Sequence, residues 1–288
     1  MHATTSAENA EFSLGIAETV RNALQEDVGK GDVTATLIPA PQRAHATVIA
    51  RETAVLCGGA WFEQVFRQLD PEVEITWQAI EGTRVEPNQP ICSLAGQARA
   101  LLTGERTALN FLQTLSGTAT KARHYAEAVL GTRTRILDTR KTIPGLRAAQ
   151  KYAVRCGGCQ NHRMGLFDGV LIKENHILAV GSITTAINQM RRTHPGLPIE
   201  VEVETLVELD EALRCGVEIV LLDNFDIPAI QVAVQRTGGR AKIEVSGGVR
   251  VDRLREIAAA GVDYISVGAL TKDVTAVDLS MRFHLFGP

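Results

Sequence analysis

A chain of 288 residues with 45% apolar side chains can bury the core of one large α/β barrel or of two domains. Thirty Lys and Arg against 33 Asp and Glu leave a formal net charge of -3, which excludes a global positive field for nucleic acid or an acidic membrane, so any basic site must be local. No apolar run approaches the roughly 20 residues needed to span a bilayer, and the opening MHATTSAENAEF lacks the charged start and apolar core of a signal peptide, so a cytoplasmic protein is expected.

The first 100 residues are short, strand-like runs punctuated by Gly and Pro, among them ATVIARETAVLCGG and ITWQAIEGTRVEPNQPICSLAG. They predict a small, mostly antiparallel sheet domain. EGTRVEPNQPICSLAG also resembles a lipoyl or biotinyl hammerhead, but its turn holds Glu86, Pro87 and Asn88 and no lysine to modify, which favours a structural role. In TGERTALNFLQTLSGTATKARHYAEAVL, Leu109, Leu112 and Leu115 form an apolar helical stripe with Thr103 as its expected N-cap, a helix suited to link two domains.

From about Arg135, β-branched runs alternate with amphipathic segments: RILDTRK, GVLIKENHI, IEVEVET, EIVLLDNF, KIEVSGG and YISVGAL. Their spacing is that of βα units and predicts a parallel β/α array. In TLVELDEALRCGV, Leu206, Leu209 and Leu213 follow helical spacing and Gly216 stops the helix; in VDRLREIAAAGV, Leu254, Ile257 and Ala258 share a face before Gly261. A seventh strand has room near residues 118–134 only if that stretch is not helical. The fold class expected is α/β: an incomplete or open parallel β/α barrel of six to seven strands, after an N-terminal α+β open-faced sandwich. The expected boundaries are 1–116 for the sandwich and 117–271 for the barrel, with the tail 272–288 available to pack back on the sandwich.

Ligands of parallel β/α barrels bind at the C-terminal ends of the strands. Here those ends carry Arg140 and Lys141; Lys173 with Glu174 and Asn175; Glu202 and Glu204; Asp223 and Asn224; Ser246, Gly247 and Gly248; and Gly268. CGGCQNHR adds His162 and Arg163. Cations gathered on a water-poor rim need anionic ligand groups, because a buried unpaired charge is costly. In IEVEVET the residues Glu200, Glu202 and Glu204 share one face and Val201 and Val203 the other; valines facing helices would send the glutamates into the barrel, to pair with lysines or hold Mg²⁺ through water. SGG (246–248) and VGA (267–269) end the last two strands, where glycines let backbone N–H groups approach a phosphate.

The five cysteines, an odd number over a long chain, suit free thiols in a reducing compartment. Cys156 and Cys159 form a CxxC with His162 close behind, but a metal site needs further ligands, which leaves a Gly-rich loop as the favoured reading; His176 stays ambiguous.

DTRKTIPGLR (138–147), KYAVRCGGCQNHRMGLFDGVLIKENHI (151–177), EVEVETLVELDEAL, LLDNF and GERTALNFLQTLSGTAT together resemble quinolinate phosphoribosyltransferases, from about Glu26 to about Thr271. The resemblance implies an enzyme joining quinolinate to 5-phosphoribosyl 1-pyrophosphate, with loss of carbon dioxide and pyrophosphate and a requirement for Mg²⁺. It also implies roles. Arg140, His162, Arg163 and Lys173 contact the quinolinate carboxylates, Thr139 binds substrate, and Lys141 faces the phosphoribosyl pyrophosphate. Glu202 and Asp223 sit near the ribose hydroxyls and Mg²⁺; Ser246, Gly247, Gly248, Val267, Gly268 and Ala269 cradle the 5-phosphate. Lys141, Glu202 and Asp223 are the expected catalytic residues, and Arg106 is lent to a neighbouring subunit, so a homodimer or higher oligomer is implied. Alternatives are a related phosphoribosyltransferase acting on another pyridine or base, and a non-catalytic binder of a phosphorylated ligand. The family commonly has glycine where Cys159 stands, and a positive φ there would strain the loop.

Overall fold

The computed structural model describes residues 15–285, so MHATTSAENAEF and the end of the tail lie outside the described residues. In chain order the elements are α1 (Ile16–Asp27), β1 (Arg43–Ala50), β2 (Ala54–Val55), α2 (Gly59–Leu69), β3 (Glu74–Trp77), β4 (Arg84–Val85), β5 (Pro90–Gln97) and α3 (Ala98–Ala128). Then follow β6 (Arg135–Leu137), α4 (Arg147–Cys156), β7 (Val170–Ile172), α5 (Glu174–Val180), α6 (Ile183–Thr193), β8 (Ile199–Val203), α7 (Leu206–Arg214) and β9 (Ile219–Asp223). The last are α8 (Ile227–Thr237), β10 (Lys242–Ser246), α9 (Leu254–Ala259), β11 (Tyr264–Ser266), α10 (Ala269–Lys272) and β12 (Leu279–Leu285).

Two compact units result. The first holds the described residues up to Arg123 together with Ile143–Gly158 and the chain from Asp273; the second holds His124–Thr142 and Cys159–Lys272. Ile143–Gly158 belong to the first unit because α4 buries Ala149 and Ala153 in its core.

The first unit is built on a four-stranded sheet in the order β12-β1-β5-β3, all pairs antiparallel. Alternation in β1 turns Ala44, Ala46 and Val48 inward, and the same core gathers Ile91 and Leu94 of β5, Phe62 and Phe66 of α2, and Leu109 and Leu112 of α3. Helix α3 begins at Ala98, so Thr103 is an interior residue and not the N-cap. A tertiary partner overrides the local signal: the Thr103 hydroxyl donates to Asp32 Oδ2 at 2.9 Å. The helix runs on to Ala128, which removes the room for a strand there.

The second unit carries six parallel strands in the order β6-β11-β10-β9-β8-β7. A parallel bridge from Leu137 to Gln160 extends the row beyond β6 by one residue, and among the described residues no strand pairing joins β7 to β6. The barrel is therefore incomplete and open, with six strands and the beginning of a seventh.

The connections place the strand ends. Thr205 and Glu208 form a capping box on α7, and Asp226 caps α8 by accepting from Ala229 N–H, with Pro228 in the first turn. Gly216 and Gly261 take positive φ at the expected helix stops. No helix among the described residues is long and apolar enough to cross a membrane.

Candidate active site

Because all six strands run the same way, their C-terminal ends share one rim. Around it, in sheet order, stand Thr139, Arg140 and Lys141 after β6; Val267, Gly268 and Ala269 after β11; Ser246, Gly247 and Gly248 at β10; Asp223 at β9; Glu202 on β8; and Lys173 after β7.

Asp138 organises the approach to the first of these. Fully buried, it accepts from Asn161 Nδ2 at 2.6 Å and from the His162 N–H at 2.9 Å, which ties the loop 159–163 to the end of β6. Gly158, at φ +97°, supplies the left-handed turn of that loop; Cys159 does not, so the condition for strain at Cys159 is not met.

Arg140 and Lys141 part company at the rim. Lys141 N–H donates to Thr139 Oγ1 at 3.1 Å and its carbonyl accepts from Thr271 at 2.8 Å, while its side chain crosses Gly268, where a β-carbon would come to 2.9 Å from Lys141 Cδ. Arg140 lies near enough to Arg163 for its charge to be felt there: burial first, and then the Arg140 charge, lower the pKa of the Arg163 guanidinium. Arg163 Nη1 donates to Gly169 O at 2.8 Å, which fixes its fork. Two like charges close together on a partly buried rim call for an anionic partner.

His162 links this rim to the barrel interior. Its Nδ1 accepts from the Arg163 N–H at 2.7 Å, so Nε2 carries the proton and donates to Glu200 Oε2 at 2.9 Å, with Glu244 Oε1 at 3.7 Å. Both carboxylates are buried, and Glu200 Oε1 has no hydrogen-bond partner. Burial and then the charge of Glu200 push the Glu244 carboxyl up to about 7. Both residues line a cavity of about 250 Å³ beside His162.

The opposite side of the rim is acidic. Glu202 pairs with Lys173, and Asp223 accepts from Ser246 Oγ at 2.6 Å and from Asn224 Nδ2 at 2.8 Å. Glu204 is raised above the ordinary carboxylate value, first by the charge of Glu174, then by burial, then by Glu208, Asp223 and Glu202. A groove of about 310 Å³ runs past Glu174, Glu202, Glu204 and Glu208. An excess of oxygen donors of this kind fits a hard divalent cation.

Gly247 cannot be replaced without displacing this arrangement, since a β-carbon there would lie 2.2 Å from Asn224 Oδ1; Gly248, at φ +56°, has open space around it. Arg106 is exposed on α3, in the first unit. His176 serves the backbone, for its Nδ1 accepts from the Lys173 N–H at 3.0 Å and caps α5. Among the described residues no potential metal-binding group contains both Cys156 and Cys159.

Local sequence patterning does not single out Asp138, Asp168 or Glu244. Asp168 accepts from Met164 and Gly165 N–H groups at 2.6 and 2.9 Å, closing the turn after Arg163. The signal for Glu244 is the same as for Glu200: a carboxylate between two β-branched residues of a barrel strand.

Comparison with known proteins agrees along the chain. Residues 32–116 match the family model of the quinolinate phosphoribosyl transferase N-terminal domain, and residues 118–282 that of its C-terminal domain. The carboxylating nicotinate-nucleotide pyrophosphorylase of Mycobacterium leprae is 42% identical over 274 residues, covering 92% of this chain and 95% of that protein. The probable counterpart of Bacillus subtilis is 38% identical, with 94% of each covered. The solved nicotinate-nucleotide pyrophosphorylase of Francisella tularensis is 45% identical with a TM-score of 0.91, over 93% of this chain and 96% of that one. In sequence and in fold the chain thus follows enzymes of one kind over nearly its whole length, and it belongs to the quinolinate phosphoribosyltransferase family.

Proposed function

We propose that the protein transfers the phosphoribosyl group of 5-phosphoribosyl 1-pyrophosphate to quinolinate and releases pyrophosphate and carbon dioxide, forming nicotinate mononucleotide for NAD biosynthesis. The observation that carries the residue roles is the separation of Arg140 and Lys141: the charge of one is felt at Arg163, and the side chain of the other crosses Gly268. Two anions can therefore lie side by side.

In this reading the guanidinium groups of Arg140 and Arg163, with His162 and Lys173, hold the two carboxylates of quinolinate, and Thr139 binds substrate. The Ser246–Gly248 and Val267–Ala269 turns receive the 5-phosphate, and Lys141 faces the pyrophosphate. Glu202 and Asp223 stand where positive charge grows on the ribose carbon as pyrophosphate leaves, and they stabilise it electrostatically. The pyridine nitrogen then attacks. Once N-ribosylated the ring is cationic, so the 2-carboxylate departs as carbon dioxide and leaves a carbanion, stabilised by the adjacent N⁺, that takes a proton from water to give nicotinate mononucleotide. Catalysis is by positioning and charge, and no covalent nucleophile is needed.

Glu202 and Asp223 would hold Mg²⁺, in part through water; when bound it offsets the negative charge of the pyrophosphate. Glu202 is paired with Lys173 here, so arrival of a quinolinate carboxylate at Lys173 would free Glu202 to bind the cation. Arg106 is proposed to enter the site of a neighbouring copy in a homodimer, and the cytoplasm is the proposed setting.

The test is an assay with quinolinate, phosphoribosyl pyrophosphate and Mg²⁺ that follows nicotinate mononucleotide and carbon dioxide. Product with quinolinate is expected; its absence across the neutral pH range, or equal turnover of nicotinate, overturns the reading.

A further inference from the structure

Cys156 ends α4, and its thiol rests against that of Cys57, which follows β2 far away in the sequence. Both lie in the first unit. The two sulfurs and a carboxylate oxygen of Glu81 are all within 4.8 Å of one another. Cys57 is fully buried, whereas Cys156 is half-buried.

The backbone around both thiols is held. Cys57 N–H donates to Ser116 Oγ at 2.9 Å, and Gly58 N–H donates to Glu81 Oε1 at 2.6 Å. Arg123 donates to the carbonyls of Gly157, Gly82 and Cys156 at 3.0, 3.1 and 3.4 Å. Gly157 packs so tightly on α3 that a β-carbon would lie 2.4 Å from Ala119 O.

The thiols are chemically unlike. Burial pushes the Cys57 thiol well up, so it keeps its proton. Cys156 is lowered, chiefly by the hydrogen bond from Cys57 and with help from Tyr152, against the opposing effects of burial and the Glu81 charge. The thiolate is the reactive form of cysteine.

We propose that Cys156 and Cys57 form an oxidisable dithiol, in which hydrogen peroxide oxidises Cys156 and Cys57 resolves the product as a disulfide. In the first step the Cys156 thiolate attacks a peroxide oxygen; an S–O bond forms, the O–O bond breaks, and the departing hydroxide takes up a proton as water. Cys156 is then a sulfenic acid, oxidised by two electrons, and the peroxide is reduced by two. In the second step the Cys57 sulfur attacks the Cys156 sulfur; the S–S bond forms, the S–O bond breaks, and the Cys57 proton leaves with the hydroxide as a second water. The CxxC partner Cys159 is not part of the cluster that joins Cys156 to Cys57 and Glu81.

The experiment exposes the reduced full-length protein to hydrogen peroxide and maps its peptides by mass spectrometry. Expected are one cross-link between the Cys57 and Cys156 peptides, an intact mass lower by two hydrogens, and reversal by dithiothreitol. Cys57→Ser should trap a sulfenic acid on Cys156 that dimedone labels, Cys156→Ser should abolish the cross-link, and Cys215→Ser should leave it unchanged. A cross-link between Cys156 and Cys159, dimedone on Cys57 when Cys156→Ser is treated, or no cross-link in excess peroxide each overturns the proposal. The wild-type map and Cys156→Ser decide the matter even if Cys57→Ser does not fold. None of these readouts depends on phosphoribosyl transfer.

Discussion

At Gly247 the chain takes φ +102° with Asn224 pressed against it, and Asn224 is itself left-handed at φ +58°. Gly247→Ala therefore meets both a strained backbone and a clash. It is expected to cost about 1–3 kcal/mol of stability and to raise KM for phosphoribosyl pyrophosphate more than KM for quinolinate, as urea unfolding and initial rates would check. The cations divide the other way: Lys141→Ala should lower turnover far more than quinolinate binding, and Arg163→Ala should chiefly weaken quinolinate binding. The reverse pattern would exchange the two sub-sites. Glu244 gives a pH signature. Its folded pKa of about 7 lies above the ordinary 4.5, so the fold prefers the protonated carboxyl. The stability this contributes is full below pH 4.5 and is lost as pH rises through about 7, on the order of 3 kcal/mol in all. Glu244→Gln should flatten that part of the profile of melting temperature against pH; an unchanged profile would place the titration elsewhere.

The loop 159–163 is held to the end of β6 by the backbone of Gln160 and by one buried carboxylate, Asp138, which accepts from the His162 N–H and Asn161. Asp138→Ala leaves those donors unpaired, a loss of about 1–3 kcal/mol, and should raise KM for quinolinate with little change in KM for the co-substrate. The strand ends that carry the rim were legible in the sequence because β-branched runs stop at Lys173, Asp223 or Ser246, and glycines at 216 and 261 mark where helices stop. Relations between distant elements were not. Thr103 reads as a helix start because its partner Asp32 is invisible to a local pattern, and helix α3 in fact runs through it. Nor does helical spacing reveal that α4 buries its alanines in the first unit's core, or that Cys156 meets Cys57 when the nearer Cys159 has the familiar spacing. Glu244 escapes notice because a lone acid in a strand reads as exposed unless the barrel's interior face is known.

For the whole molecule, the proposed loan of Arg106 can be tested by mixing. If it acts on a neighbouring copy, Arg106→Ala and Lys141→Ala, each inactive, should together recover about a quarter of wild-type activity after subunit exchange, since half the random dimers hold one intact site of two. No recovery after confirmed exchange would place Arg106 in its own subunit's site. The ion pair between Lys173 and Glu202 has a thermodynamic consequence of its own. Each partner neutralises the other until a ligand takes one of them, so whichever ligand arrives first bears the cost of separating them and the second is spared it. A quinolinate carboxylate on Lys173 and a divalent cation on Glu202 should therefore bind with positive cooperativity, each tightening the other by the same factor. Calorimetric titration of Mg²⁺ with and without quinolinate measures that factor, and Lys173→Met should bring it to unity.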